Sequence, residues 1–546
     1  MYLGGSSFRL FKLMSLLDRR SFLATSATIL PVFARSSRAE TARVEILLDE
    51  PVGLVNPNVF GHFTEHIGGV IYDGVWVGEK SRIPNVGGIR KALVDALQPL
   101  NPPVIRWPGG CFADSYNWRD GVGPHRAKRT NFWANEMPSV AAGDQKYEPN
   151  VFGSHEFMRF CRLVKAEPYF AANVRSLPAM AFRDWVEYCN MPANLTSLGE
   201  ERARNGEPTP FGVKYWGVGN EPWHCGGNFS ASEYASEFRR FTAAVPATDV
   251  PLKLIAAGPN AGDEQWTRQF FRSMGDKTPQ GQSALFGFSL HYYCAATGRG
   301  DALDFTNDDW YELLSRAQFL DALIAKHWNA MGDFDTQHKV KLVVDEWGAW
   351  HRPGTEIDPS FLFCQMPTLR DALVSALTLN IFIKNAEKVQ MANVAQLINN
   401  LHCLFLAHED KFMATPNYHV FRMLAGHSGG TALRTVCVAP PVSWHYLSDD
   451  SSMPSLSAAA SIKDKEVTLS VVNSSVSKAH STQLIAETAK IASACSVKLT
   501  SSDIHAHNTF KDPDAVKPSS QDLAVSQPLV VTLPPASVTV FTLRLA

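Results

Sequence analysis

The sequence predicts a (β/α)8 barrel that carries an all-β, jelly-roll-like sandwich built partly from an N-terminal strand. Three observations lead there. Between about residues 59 and 425, eight short apolar runs alternate with helix-period segments. After about Gly426 the helical periods vanish, and short runs such as Glu466–Asn473 alternate with Ser, Asn and Pro turns. Two apolar runs, Val213–Trp223 and Lys341–Trp350, each end by delivering a glutamate, Glu221 and Glu346.

The chain divides into four parts. Residues 1–39 carry Arg19-Arg20, then the apolar stretch Phe22–Phe33, then Ser36-Ser37-Arg38-Ala39. This pattern is expected to be a twin-arginine-type export signal with cleavage after Ala39, leaving a periplasmic or extracellular protein. Its apolar stretch is too short for a membrane span. Residues 40–52 hold a strand, Val44–Leu48, expected to join the sandwich because it precedes the barrel and lacks another partner. The barrel is expected over 53–429 and the sandwich over 430–546.

Within the barrel the strands are expected at Val59–Thr64, Pro103–Trp107, Tyr169–Val174, Val213–Asn220, Leu252–Gly258, Leu285–His291, Lys341–Glu346 and Val389–Ile398. Helical patterns fall at Ile89–Leu97, His155–Val164, Met180–Tyr188, Ser232–Ala243, Glu264–Ser273, Asp309–Trp328, Thr368–Asn385 and Pro416–Ala425. The polar, Gly- and Trp-rich stretch 109–153 reads as a long loop on the catalytic face. The sandwich strands include Ser496–Thr500, Leu529–Leu533 and the terminal Pro535–Ala546.

Composition excludes some classes. A chain of 546 residues suits one large barrel plus a second module. A formal charge of −2 gives no bulk attraction to nucleic acid or anionic membranes. The nine cysteines are odd in number, scattered and without a C-x-x-C pair. A disulfide framework or a zinc site is therefore not expected, and most should be small buried hydrophobes. His62-Phe63-Thr64-Glu65-His66 has the spacing of a zinc-protease motif, but its surroundings are strand-like and the motif needs a helix. Gly217–Pro222 starts like a dinucleotide loop but has Pro at the third glycine. No cofactor or metal is expected.

Barrel enzymes place their chemistry at the C-terminal ends of the strands. Read in order, those ends offer His62, Glu65 and His66; Arg106 and Cys111; Asn173; Asn220 and Glu221; Asn260; His291, Tyr292 and Tyr293; Asp345 and Glu346; Gln396 and Asn399. Two carboxylates among them, on strands four and seven, are what glycoside hydrolysis requires.

Five stretches then carry a resemblance: VFGHFTEHIGG (59–69), RWPGGCFADSYNWRDGVGP (106–124), EPNVFGSHEFM (148–158), WGVGNEPWHCGG (216–227) and LVVDEWGAW (342–350). Together they resemble glycoside hydrolase family 51, the α-L-arabinofuranosidases, over about residues 44–430. The terminal Pro535–Leu543 is similar to the end of that family's sandwich. The resemblance implies that Glu221 is the general acid/base and Glu346 the nucleophile of a retaining, exo-acting enzyme. It places Glu65, Arg106, Cys111, Asn220, Tyr293 and Gln396 around the sugar. His291 is counted with them, and Trp133 as a pocket wall. Asn220 would bind the hydroxyl next to the anomeric carbon and Arg106 would orient the carboxylates; of Tyr292 and Tyr293, which both fit the position that supports Glu346, spacing from His291 favours Tyr293. The implied partner is an arabinose-containing polysaccharide or oligosaccharide, and relatives often form oligomers. A retaining β-glucanase, xylanase or β-xylosidase on the same scaffold is the alternative. A carbohydrate-binding protein without catalysis is disfavoured because both carboxylates are present.

Overall fold

The computed structural model describes residues 42–136, 146–275, 283–294, 300–486 and 488–546. The export signal expected over residues 1–39 and part of the loop around Trp133 lie outside the described residues.

Strand β1 spans Ala42–Leu54. Eight parallel strands then close into a barrel in sequence order: β2 Gly61–Phe63, β3 Val104–Trp107, β4 Glu167–Ala172, β5 Tyr215–Val218, β6 Leu252–Ala256, β7 Ser283–Cys294, β8 Lys341–Ala349 and β9 Val389–Val394. The principal helices are α1 Lys91–Leu97, α2 Ser154–Val164, α3 Ala179–Asn190, α4 Ser197–Arg204, α5 Ala231–Ala243, α6 Glu264–Met274, α7 Asn307–Gly332, α8 Leu369–Lys384 and α9 Pro416–Leu424. Toward the strands' N-terminal ends, Val104, Tyr215, Ile255, Val343 and Met391 pack around Tyr169 and fill the barrel. Apolar filling stops above Tyr169, whose hydroxyl donates to Asp345 Oδ2 at 3.0 Å. From there upward the interior is polar.

Two elements differ from the sequence expectation. The first barrel strand begins later, because Asn56 accepts from the Asn58 N–H and Pro57 starts a 3-10 turn over Pro57–Phe60. Helix α4 has no apolar stripe to announce it. Thr196 caps it by accepting from the Gly199 N–H, and its buried Arg202 donates to the carbonyls of Tyr188 and Met191.

Apart from Pro441–Tyr446 and Asp449–Pro454, which pair as a separate hairpin, most of the remaining chain joins β1 in a nine-stranded sheet. Its later strands are β10 Thr431–Val438, β11 Leu456–Lys463, β12 Glu466–Asn473, β13 His480–Ala486, β14 Ile491–Thr500, β15 Ser519–Leu523, β16 Leu529–Leu533 and β17 Ser537–Leu545. The order is β15-β14-β17-β12-β11-β10-β1-β13-β16. Strand β1 therefore sits inside this sheet, antiparallel to β10 and parallel to β13. Alternation along β12 serves two faces. Val467, Leu469 and Val471 join Val44, Ile46, Phe541 and Leu543 in the sheet's own apolar core. Ser470 points the other way, to Asn380 on α8 and to His427. Helix α8 packs against both β8 of the barrel and the sheet strands β10, β11, β12 and β17, and is buried from Leu369 to Ile383.

Candidate active site

Strand β5 ends at Val218, and the next three residues leave the sheet sharply. Gly219 takes φ +89° and Glu221 takes φ +35°, a left-handed conformation uncommon for a residue with a side chain. The surrounding contacts hold it there. The Asn220 N–H donates to Asp114 Oδ2 at 3.0 Å, and the Glu221 carbonyl accepts from the N–H groups of His224 and Gly226. The loop closes so tightly that a Cβ on Gly226 would meet the Asn220 carbonyl oxygen at 1.6 Å.

Strand β8 delivers Glu346 from the opposite side. Its Oε1 accepts from Arg106 Nη1 at 2.7 Å and its Oε2 from the Tyr293 hydroxyl at 2.8 Å. Tyr292, one residue earlier on β7, faces outward and donates to the Arg316 carbonyl, as strand alternation requires. His291 lies between the two glutamates. Its Nδ1 is 3.0 Å from Glu221 Oε1 and 3.5 Å from Glu346 Oε2, and its Nε2 is 2.9 Å from Asp345 Oδ1. A carboxylate oxygen of Glu221 and one of Glu346 lie within 4.8 Å of each other. The Glu346 side chain is 8% exposed and that of Glu221 is 16%, so the latter is the one nearer solvent.

Arg106, fully buried on β3, joins the two sides: its Nη1 reaches Glu346 and its Nη2 donates to Asn220 Oδ1 at 2.6 Å. Burial acts to lower its pKa, but the carboxylates of Asp345 and Glu346 outweigh burial and hold it above the ordinary value. The same balance applies to His291. Burial works against its charge, yet Glu346 and Asp345 keep it well above the usual imidazole range. Burial likewise opposes ionisation of Asp345, but Arg106 and His291 bring it down to about 2. Glu65 goes the other way. Burial, then repulsion from Glu346, pushes it up to about 8, although the Phe112 N–H at 2.9 Å and Gln396 Nε2 at 3.1 Å both donate to it. Gly110 sits between Glu65 and Glu346: a Cβ there would lie 3.0 Å from Glu346 Oε1 and 3.2 Å from Glu65 Oε2.

The chain is 34% identical over 515 residues to an intracellular exo-α-L-arabinofuranosidase of Bacteroides ovatus, covering 92% of this chain and 94% of that relative. The chain belongs to glycoside hydrolase family 51. The family models for the α-L-arabinofuranosidase 1 domain and the α-L-arabinofuranosidase C-terminal domain match residues 96–297 and 345–537. Among solved structures, the family 51 arabinofuranosidase of Xanthomonas axonopodis pv. citri superposes with a TM-score of 0.84 at 37% identity, over 92% of this chain and all of the other. The Thermotoga maritima α-L-arabinofuranosidase in complex with arabinose gives 0.80 at 28% identity, with the same coverage.

Within this family 51 fold, Glu65, Arg106, Asn220, Glu221, His291, Tyr293, Glu346 and Gln396 form one connected cluster. Cys111 departs from expectation. It is disulfide-bonded to Cys225, 114 residues away, so it has no thiol proton to offer a sugar, and the cysteine pattern does hide one bridge. Spacing could not show this, because only barrel closure brings the loops after β3 and β5 together. Both sulfurs lie against Glu221 Oε2, at 3.8 Å for Cys111 and 3.6 Å for Cys225.

Trp133 lines a cavity of about 480 Å³ together with His66, Tyr72, Lys128, Glu148 and Phe361, and neither Glu221 nor Glu346 is part of that lining. Edge contacts link it to the site through Phe363, Trp350 and Tyr293, with centroids 6.1, 4.9 and 5.3 Å apart in turn. The two histidines of the zinc-like motif face different environments. His62 is buried beside Phe421, where burial drops it to about 3, and His66 stacks on Phe112 and meets Glu148.

Sequence reasoning missed Asp114, Cys225, Glu148, Trp350 and Phe363. Asp114 accepts from the N–H groups of Val174, Arg175 and Asn220, and burial pushes its carboxyl up to about 7 against those bonds. It lies inside the RWPGGCFADSYNW stretch, but nothing in the spacing separates it from its neighbours.

Proposed function

We propose that the protein is a retaining exo-α-L-arabinofuranosidase that removes terminal arabinofuranosyl units from plant polysaccharides or oligosaccharides by double displacement. The observation that carries this is the Glu221–Glu346 separation, within 4.8 Å between carboxylate oxygens. Retaining glycosidases hold their carboxyl groups about 5 Å apart, whereas inverting ones leave several ångströms more for a water. Glu346, its charge held by Arg106 and steadied by the Tyr293 hydroxyl, attacks the anomeric carbon. Glu221, nearer solvent, protonates the departing oxygen, then takes a proton from water as that water displaces Glu346. Asn220 is oriented by Arg106 and Asp114 to meet the hydroxyl beside the reacting carbon, where a contact strengthens as positive charge develops. Glu65, neutral below about pH 8, can donate as well as accept toward an outer hydroxyl.

The test uses an aryl α-L-arabinofuranoside. Glu346→Ala is expected to abolish turnover, with azide rescuing it as an arabinofuranosyl azide of inverted configuration. Glu221→Ala is expected to lose about 10²–10⁴-fold on substrates with poor leaving groups, with azide giving the retained product. Normal turnover by Glu346→Ala sinks the reading. A panel of aryl xylosides and glucosides separates it from the β-xylosidase and glucanase alternative.

We also propose export through the twin-arginine route. The Arg19-Arg20 pair, the apolar stretch after it and the Cys111–Cys225 disulfide support this, since disulfides persist in oxidising compartments. The Bacteroides ovatus relative is described as intracellular, so the leader is the feature to test. Replacement of Arg19-Arg20 by Lys-Lys should retain uncleaved protein in the cytoplasm; unchanged export would refute the route.

A further inference from the structure

We propose that Cys111, Glu221, His224 and Cys225 form a binding site for a thiophilic divalent cation such as Zn²⁺, closed by the disulfide and opened by its reduction. The ligand atoms of these four residues all lie within 4.8 Å of one another. Two of them are the bonded sulfurs, and the third, Glu221 Oε2, is already against both. His224 is exposed and its backbone N–H is fixed to the Glu221 carbonyl, so its ring starts beside the sulfurs at the mouth of the site. Two thiolates, an imidazole and a carboxylate are a donor set that zinc accepts in tetrahedral geometry, with ligand atoms roughly 3.5 Å apart. The Glu221 oxygen already stands at that spacing from both sulfurs, so reaching it requires the sulfurs to separate and the exposed His224 ring to settle onto the ion. Among the described residues no other cysteine offers a comparable site: Cys161, Cys189, Cys294, Cys364 and Cys403 are buried, and the partly exposed Cys437 and Cys495 have no cluster of metal-ligating side chains around them.

The chemistry balances with a phosphine as reductant. The phosphine and one water become phosphine oxide, and the disulfide becomes two thiols; Zn²⁺ then displaces their two protons. The consequence rests on the acid/base role proposed for Glu221. A carboxylate held by zinc cannot carry the proton to the leaving oxygen, so the metal silences the reaction. The disulfide thus keeps the acid/base free in an oxidising compartment, and a chain held where thiols stay reduced is open to inhibition by zinc.

The experiment compares oxidised enzyme with enzyme reduced by a water-soluble phosphine and freed of it. Each is given ZnCl₂, then read for bound zinc per chain and for aryl arabinofuranoside turnover. The reduced enzyme is expected to bind one zinc and to lose turnover at least about tenfold, restored by a chelator, while the oxidised enzyme does neither. Cys225→Ser should abolish the zinc stoichiometry in both states. His224→Ala should weaken zinc binding about 10- to 100-fold yet keep zinc-free turnover within about twofold. Equal zinc binding by oxidised enzyme, or unaltered binding by Cys225→Ser and His224→Ala, overturns the site. Zinc binding without loss of turnover overturns the capture of Glu221. Because zinc stoichiometry is read without substrate, failure of the arabinofuranosidase reading stays distinguishable from failure of this one.

Discussion

Arg106 is the residue on which the charges of the site depend. It lies against Asp345 and Glu346, both nearly buried, and also orients Asn220. Arg106→Met would leave those two carboxylates with only His291 as a counter-charge, and breaking a buried pair in this way costs about 3–5 kcal/mol. Urea unfolding of that variant should show the loss, and turnover should collapse with it. Glu65 gives a pH test. Its pKa rises from an ordinary 4.5 to about 8 on folding, so the folded chain binds its proton more tightly. Its contribution to stability is therefore fully present below about pH 4.5 and is lost as pH rises through about 8. Glu65→Gln should flatten the alkaline fall in stability measured by denaturant titration between about pH 5 and pH 9. An unchanged slope would mean the carboxyl is not the group responsible.

The decisive element is the turn after β5, clamped from three directions. Asp114 holds the Asn220 N–H, the disulfide ties Cys225 to the Cys111 turn, and the Glu221 carbonyl collects two N–H groups. Asp114→Asn keeps the shape but loses one acceptor oxygen, which costs about 1–3 kcal/mol if an N–H is left unpaired. The expected signature is a lower kcat with little change in KM, because the acid/base and Asn220 move together. Gly226→Ala tests the closure more directly. Its Cβ would strike the Asn220 carbonyl, so turnover should fall while circular dichroism stays native. A fully active Gly226→Ala would show that the loop tolerates a wider path.

At the scale of the whole molecule, the barrel and the sheet are not separable folding units. Strand β1 leaves the N-terminus to pair between β10 and β13, so the first and last thirds of the chain share one sheet. Helix α8 is buried nearly all round and lies between the barrel and that sheet, and Trp310 on α7 donates to the Ser474 carbonyl. A chain ending at residue 429 would strip the cover from α8 and leave β1 unpaired. Such a truncation is expected to be insoluble in expression trials; a soluble, cooperatively unfolding product would contradict the shared core.

The sequence by itself determined the alternation of strands and helices, and with it the barrel, because each element has its own hydrophobic period. It also assigned Glu221 and Glu346 to the ends of two barrel strands, since each apolar run delivers its glutamate, whereas the structure sets Glu221 three residues past the end of β5 and Glu346 three residues before the end of β8. The Asn220 position was legible through the motif that surrounds it. Helix α4 and the 3-10 turn at Pro57 were not, because a cap and buried arginine bonds stand in for an apolar stripe. Only the tertiary structure decided the Cys111–Cys225 bridge and the part played by Asp114, which link loops more than 100 residues apart in sequence. Only it separated Tyr292 from Tyr293 and set Glu65 near a pKa of 8. Those properties arise from how closely buried groups approach across a closed barrel, a distance that no local pattern records.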